Sequence, residues 1–323
     1  MMPLLLIIIN FVFASTLSVS ALAESTPEAV ESPRSNRIAV LYPDIGEPYG
    51  SVFMAITKGI ESELTDMPRV ILVKEGNLEQ TRARLASENI GVCIALGRTT
   101  LEQLEALKLD IPVVRGAILD PNVPKSSGDS PLGISLTPDP AFLLQQLKHL
   151  APQVKRVTVV YSDSQGQALI DRAVAAGRNL NLTVMAHKTE DLLSAAAMYK
   201  SVIPVLGPQD ALWIPQDPQA VDDKVILPML LNAAWAQNFI LFSSNADHAK
   251  RGALYSVYPD NFAMGRKLGR IASQRVTGLT ANAGMQPLDD LLVAVNLRTA
   301  EHLRLNLAPE QIRSFGLTFP QHR

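Results

Sequence analysis

Cysteine is almost missing from this chain: Cys93 is the only one in 323 residues. A lone cysteine excludes an intramolecular disulfide, so stability has to come from core burial. Cys93 lies inside the apolar run 90–96, with no histidine nearby along the chain, and reads as a small core residue rather than a nucleophile. Excess charge is also missing. Lys and Arg number 29 against 31 Asp and Glu, a net charge of −2, which leaves no basic face for nucleic acid or an anionic membrane. The five histidines (His149, His187, His248, His302 and His322) show no His-x-x-x-His or Glu-x-x-His spacing, so no metal site is expected. There is no Gly-x-Ser-x-Gly elbow, no P-loop and no Gly-x-Gly-x-x-Gly after the first strand, and so no catalytic residue or cofactor is expected. Gly265 and Gly269 fall within a helical pattern and read as a packing face.

What is present begins with a long apolar run, residues 4–13, followed by small residues ending in Ala21-Leu22-Ala23. This is the pattern of a secretory signal peptide over residues 1–23, although its first segment carries no Lys or Arg. An uncleaved inner-membrane anchor is the alternative, since the run nearly reaches the ~20 residues a spanning helix needs. Ser15, Thr16, Ser18 and Ser20 make its second half polar, and no cysteine follows that would carry a lipid. The rest of the chain is therefore expected in the periplasm. Residues 24–36, rich in Pro, Ser and Glu, read as a disordered leader.

Beyond the leader, hydrophobic content of 47% and charged content of 19% suit a packed globular protein, and the length suits two domains. Short β-branched runs are expected as strands at 37–42, 70–73, 90–96, 113–118, 156–161, 182–187, 211–214, 239–242, 253–257 and 291–295. Amphipathic segments between them predict helices at 51–64, 78–87, 100–107, 141–150, 167–179, 192–202, 221–236, 262–276 and 298–305. Strands apolar throughout, alternating with helices, imply parallel sheets covered on both faces. Loop chemistry over 119–137 interrupts the alternation, which predicts two doubly wound α/β lobes rather than one sheet of about ten strands.

In such lobes ligands bind beyond the carboxyl ends of the parallel strands. The residues there are polar or aromatic: Tyr42 and Tyr49 after the first strand, Arg98, Thr99 and Thr100 after the third, and Arg115 in the fourth. In the second lobe they are Tyr161, Gln165, Asp217, Ser243 and Ser244. Residues 97–100 (Gly-Arg-Thr-Thr) open a helix straight after a strand, and can either hold an anion at its N-terminus or simply cap it. Asp217 can accept hydrogen bonds from a ligand, or serve as the turn residue of Gln-Asp-Pro. The tyrosines can stack on a flat ligand or pack.

The segments 133–138 (Gly-Ile-Ser-Leu-Thr-Pro), 155–161, 211–218, 251–257 and 294–300 resemble, in order, the ABC-type substrate-binding proteins of the tryptophan/tyrosine-binding-like group. The resemblance implies the type I periplasmic binding protein fold, two Rossmann-like lobes joined by crossing strands. The expected division is lobe one from 37–133 plus 259–288 and lobe two from 134–258 plus 289–323. It also implies that residues 97–100 cup a ligand carboxylate and that Asp217 lies near its polar end. The resemblance implies a small polar or anionic, amino-acid-like ligand; residues 162–167 depart from the Asn-Pro-Gly-Glu-x-Asn style segment of amino-acid binders, and Arg98 and Arg115 add positive charge, which speaks for an anionic ligand rather than strict amino-acid specificity. The expectation is a periplasmic solute-binding protein, monomeric, that closes on a small molecule and presents it to an inner-membrane ABC permease. A ligand-sensing subunit of a membrane receptor and an exported enzyme on the same scaffold are the rivals.

Overall fold

Strands that are apolar on both faces need helices on both sides, and the computed structural model of the chain meets that need twice. It describes residues 36–320 apart from 48, 65–69, 75–77, 109, 120–131, 163–165 and 280–283; the expected signal peptide and nearly all of the leader lie outside the described residues. The first sheet has six strands in the order β11-β5-β4-β3-β1-β2, all parallel. They are β1 (Arg37–Tyr42), β2 (Val70–Lys74), β3 (Ile90–Leu96), β4 (Val113–Ile118), β5 (Leu132–Pro138) and β11 (Met285–Leu288). The second has seven, in the order β13-β12-β10-β9-β8-β6-β7. These are β6 (Arg156–Ser162), β7 (Thr183–Thr189), β8 (Asp210–Ile214), β9 (Ile240–Ser243), β10 (Tyr255–Pro259), β12 (Leu291–Asn296) and β13 (Leu317–Phe319). Among the described residues only the β10–β12 pair is antiparallel.

The two-residue period of the strands sorts their side chains between two cores. Ile38, Val40, Val92, Ile94 and Leu96 enter one cluster, with Ile56 and Ile60 of α1 (Tyr49–Glu63) and Met264 and Leu268 of α9 (Asn261–Val276). Ala39, Leu41, Cys93 and Ala95 enter another, with Leu85 of α2 (Leu78–Ser87) and Leu101 and Leu104 of α3 (Arg98–Ala106). In the second sheet Val157, Val159, Trp213 and Phe242 join the first cluster, with Leu143 and Leu147 of α4 (Pro140–Leu150) and Ile170 of α5 (Gln167–Asn179). Val160, Leu212, Ile214 and Leu241 pack instead on α6 (Leu192–Val202) and α7 (Ile226–Gln237). The first core thus runs unbroken from one sheet to the other.

The chain crosses between sheets three times: from β5 into α4, from β10 into α9, and from β11 into β12. Each crossing leaves a parallel strand at its carboxyl end, at Pro138, Pro259 and Leu288, and β12 starts at Leu291 beside Pro259. The carboxyl ends of both sheets are therefore the ends that meet at the crossings.

Three strands and two helices were not expected from the sequence: β5, β11, β13, α8 (Ala246–Arg251) and α11 (Pro309–Ser314). Strand β5 lies within the stretch read as loop, because its Gly133, Ser135 and Thr137 look like turn residues. Ser135 Oγ donates to Ile118 O at 3.2 Å, which ties it to β4. Helix α7 starts five residues later than expected because Asp222 accepts hydrogen bonds from the N–H groups of Lys224, Val225 and Ile226 and holds that segment as a turn.

Candidate functional site

Five of the described helices begin with an acid or amide that satisfies their first N–H groups. Asp139 caps α4, Asp191 caps α6, Asn245 caps α8, Asp260 caps α9, and Asn296 caps α10 (Leu297–His302). Helices α7 and α11 lack such a cap, and so do the two that follow β3 and β6, which alone among the uncapped ones start after a positive-φ glycine. Helix α3 is preceded by Gly97 at φ +85° and α5 by Gly166 at φ +74°, and neither has a side-chain cap. A glycine enters this left-handed region without the steric cost other residues meet, and it brings no oxygen to the helix end. The positive ends of both helix dipoles thus stand, without a side-chain cap, at carboxyl strand ends near the crossings. At the third position of α3, Thr100 is buried, and its Oγ1 has no hydrogen-bond partner. Arg98 and Thr99 are exposed beside it, while Tyr42 at the end of β1 is half-buried.

The other residues singled out from the sequence sit differently. Tyr49 is exposed at the start of α1. Arg115 does not add charge at the strand ends: its buried guanidinium donates to Glu105 Oε1 at 3.1 Å, in the last turn of α3. Burial lowers its pKa, opposed by the Glu105 charge. Gln165 lies outside the described residues.

In the second lobe Tyr161, Asp217, Ser243 and Ser244 converge at the ends of β6, β8 and β9, and all four are buried. They are bonded to the protein itself. Asp217 accepts from Ser162 N–H at 2.7 Å, from the Ser162 hydroxyl at 2.9 Å and from Gln219 N–H at 3.1 Å. Trp213 Nε1–H donates to Ser244 Oγ at 3.0 Å, and the Tyr161 hydroxyl donates to Gln167 Oε1 at 3.1 Å. Ser243 Oγ lies 2.8 Å from His248 Nδ1 and accepts from Asn245 N–H at 3.0 Å. His248 Nε2 lies 3.1 Å from Asp223 Oδ1, and Arg251 adds a hydrogen bond to Asp223 O. Burial lowers the His248 pKa below its ordinary value, against the pull of Asp223.

Ser162, His248 and Glu105 were not anticipated from the sequence. Each acts on a partner that lies close in space through the fold, as Ser162 and Asp217 do 55 residues apart. Among the described residues no group of three or more His, Cys, Asp or Glu is placed to hold a metal, and no helix is long and apolar enough to cross a membrane.

Two mostly parallel α/β sheets joined by three crossings define a bilobal protein of the type I periplasmic binding protein class. Residues 72–314 match the family described as ABC transporter substrate binding protein, and the chain belongs to that family. It is a solute-binding protein, of a family whose role is binding rather than catalysis and whose members typically work outside the cytoplasm with a transporter partner. No curated protein sequence matches significantly. The fold is similar to an ABC domain from Streptococcus pneumonia solved with L-Trp, at 19% identity and TM-score 0.50, over 88% of this chain and 100% of that one. It is also similar to the ligand-free, open structure of a substrate-binding protein with adhesive properties from Clostridium difficile. That match has 17% identity and TM-score 0.60, over 87% of this chain and 99% of that one.

Proposed function

We propose that the chain captures a small polar or anionic, amino-acid-like ligand between the carboxyl ends of its two sheets and delivers it to an ABC permease from the periplasm. The observation that carries this reading is the pair of helices, α3 and α5, that open on positive-φ glycines with no side-chain cap. A ligand anion supplies the acceptor that Asp or Asn supplies to the capped helices. On this reading Arg98, Thr99 and Thr100 face the ligand's carboxylate, Tyr42 and Tyr49 flank its body, and Gln165 and the α5 N-terminus close on it from the second lobe. The L-Trp bound to the Streptococcus pneumonia relative supports an amino-acid-like shape.

Because β5 belongs to the first sheet, the expected boundary at 133/134 moves to the crossing after Pro138, and lobe one (37–138 plus 260–288) and lobe two (139–259 plus 289–323) then act as jaws, with residues 1–23 as a cleaved export signal and the mature chain as a monomer. Asp217, Ser243 and Ser244 are assigned the wall beneath the ligand rather than direct grips, because their polar atoms are taken up by protein partners.

Thermal-shift screening of L-amino acids, small carboxylates, nucleosides and sugars tests the reading. A ligand at 100 times its Kd adds about 2.7 kcal/mol. An amino acid or carboxylate is expected to raise Tm, and Arg98→Ala and Thr99→Ala are expected to reduce the shift. If no compound in these classes shifts Tm and one of them is chemically turned over, the binding role fails and the enzyme rival takes its place.

A further inference from the structure

At the far end of the second lobe, Lys250, Asn296, Arg298, Phe319 and Pro320 line a cavity of about 310 Å³. This is near the lower end of the ~300–1,000 Å³ typical of small-molecule sites. Strand β12 starts beside Pro259 at the crossings and runs away from them to Asn296. Five residue steps at ~3.4 Å each place the cavity about 17 Å along the strand from the crossings. It is therefore separate from the strand ends assigned above.

Three features of its walls agree. The floor is rigid: Asn296 is 7% exposed, its Nδ2–H donates to Ala249 O at 2.9 Å and its Oδ1 accepts from Thr299 N–H at 3.0 Å. One side is apolar: Phe319 pairs in register with Asn296 across β12 and β13, and Pro320 follows it. The remaining described lining residues are both cations, Lys250 from α8 and Arg298 from α10, and among the described residues the lining holds no acid. Among the described residues neither cation is ion-paired, although Asp247 and Glu301 stand three positions away on their own helices. Two unpaired like charges at one cavity repel each other and attract an anion.

We propose that this cavity is a second ligand site, for a small organic anion whose carboxylate or phosphate lies between Lys250 and Arg298 and whose flat apolar part lies on Phe319 and Pro320. Calorimetric titration of the purified protein with phenyl phosphate, benzoate and inorganic phosphate tests it, alongside Lys250→Gln/Arg298→Gln and Arg98→Ala. Both cations are exposed, so the double variant is expected to keep its Tm to within about 2 °C. The expected result is binding of an aromatic anion that weakens at least about tenfold in the double variant, falls as salt rises, and is unchanged by Arg98→Ala. Failure of both aromatic anions to bind would overturn the proposal. So would binding that survives the double variant, or that Arg98→Ala abolishes, since the latter places the anion in the cleft. Inorganic phosphate binding as tightly as phenyl phosphate would overturn the apolar half of the assignment.

Discussion

Removing the Asp217 carboxylate tests whether it is a structural tie or a ligand grip. Among the described residues it accepts hydrogen bonds from Ser162 N–H, the Ser162 hydroxyl and Gln219 N–H, and both Asp217 and Ser162 are almost wholly buried. A hydrogen bond to a charged group contributes about 1.5–3 kcal/mol net, and a buried donor stripped of its partner carries a desolvation cost of similar size. Asp217→Ala breaks the two short bonds that join the ends of β6 and β8, so the expected loss is about 3–5 kcal/mol. For a chain of this length that corresponds to roughly 2–3 °C per kcal/mol, or a fall in Tm of about 6–15 °C. Calorimetry gives Tm directly, and urea denaturation gives the matching change in midpoint at constant slope. Asp217→Asn keeps one acceptor oxygen and should recover about half of the loss. A loss below about 1 kcal/mol for Asp217→Ala, coupled to a tenfold or greater drop in ligand affinity, would refute the structural reading and return Asp217 to the ligand.

Three further outcomes follow from the packing. A Cβ at Gly265 would overlap the Ile56 carbonyl, where α1 and α9 touch backbone to backbone, so Gly265→Ala is expected to cost at least about 2 kcal/mol, measured by urea denaturation; a neutral result would contradict that contact. Burial pushes the Cys93 thiol up to about 12, so at pH 8 the native protein should resist iodoacetamide and react within minutes only once unfolded; rapid native labelling would sink this expectation. The folded-state pKa of His248 is held below its ordinary value of 6.5, so the unfolded chain binds more protons; the stability it contributes is complete above about pH 6.5 and is lost as pH falls below that. His248→Gln should therefore flatten the decline in Tm between pH 7 and pH 5, and an unchanged slope would contradict it.

Much of the fold was legible in the sequence because burial on both faces writes itself as continuous apolar runs. Every residue of Ile90–Leu96 is buried, and the run was visible as a strand from composition alone. The missed strands lack that signature. In β5, Gly133 stands where a Cβ would overlap the Arg115 carbonyl, so close sheet pairing itself requires the residue that reads as a turn. Strand β11 contains Pro287, and β13 is three residues long. For the candidate site, the carboxyl-end rule picked out strand-end segments but could not say which way their side chains face. Whether Asp217 points at a ligand or at Ser162, and whether Arg115 faces the gap or Glu105, depends on which side of a strand or turn each side chain leaves, and that is set by partners distant in sequence.

On the proposed reading the two lobes divide the labour of binding unequally. At the strand ends of the second lobe, the polar side chains satisfy one another: Asp217 with Ser162, Ser244 with Trp213, Ser243 with His248. Such a wall is rigid and keeps its shape whether or not a ligand is present. At the strand ends of the first lobe, α3 has no side-chain cap and Thr100 keeps a buried hydroxyl without a partner, so that side has the most to gain from a ligand. The crossings add a constraint on how the lobes can move. Asp139 N–H donates to Leu288 O at 2.7 Å and Asp260 N–H donates to Asp290 O at 3.0 Å, which ties both the first and the second crossing to the third. Three crossings tied in this way bend together rather than one at a time. On the proposed reading, closure is then a single hinge motion, driven by an anion gripped in the first lobe and stopped by the preformed wall of the second.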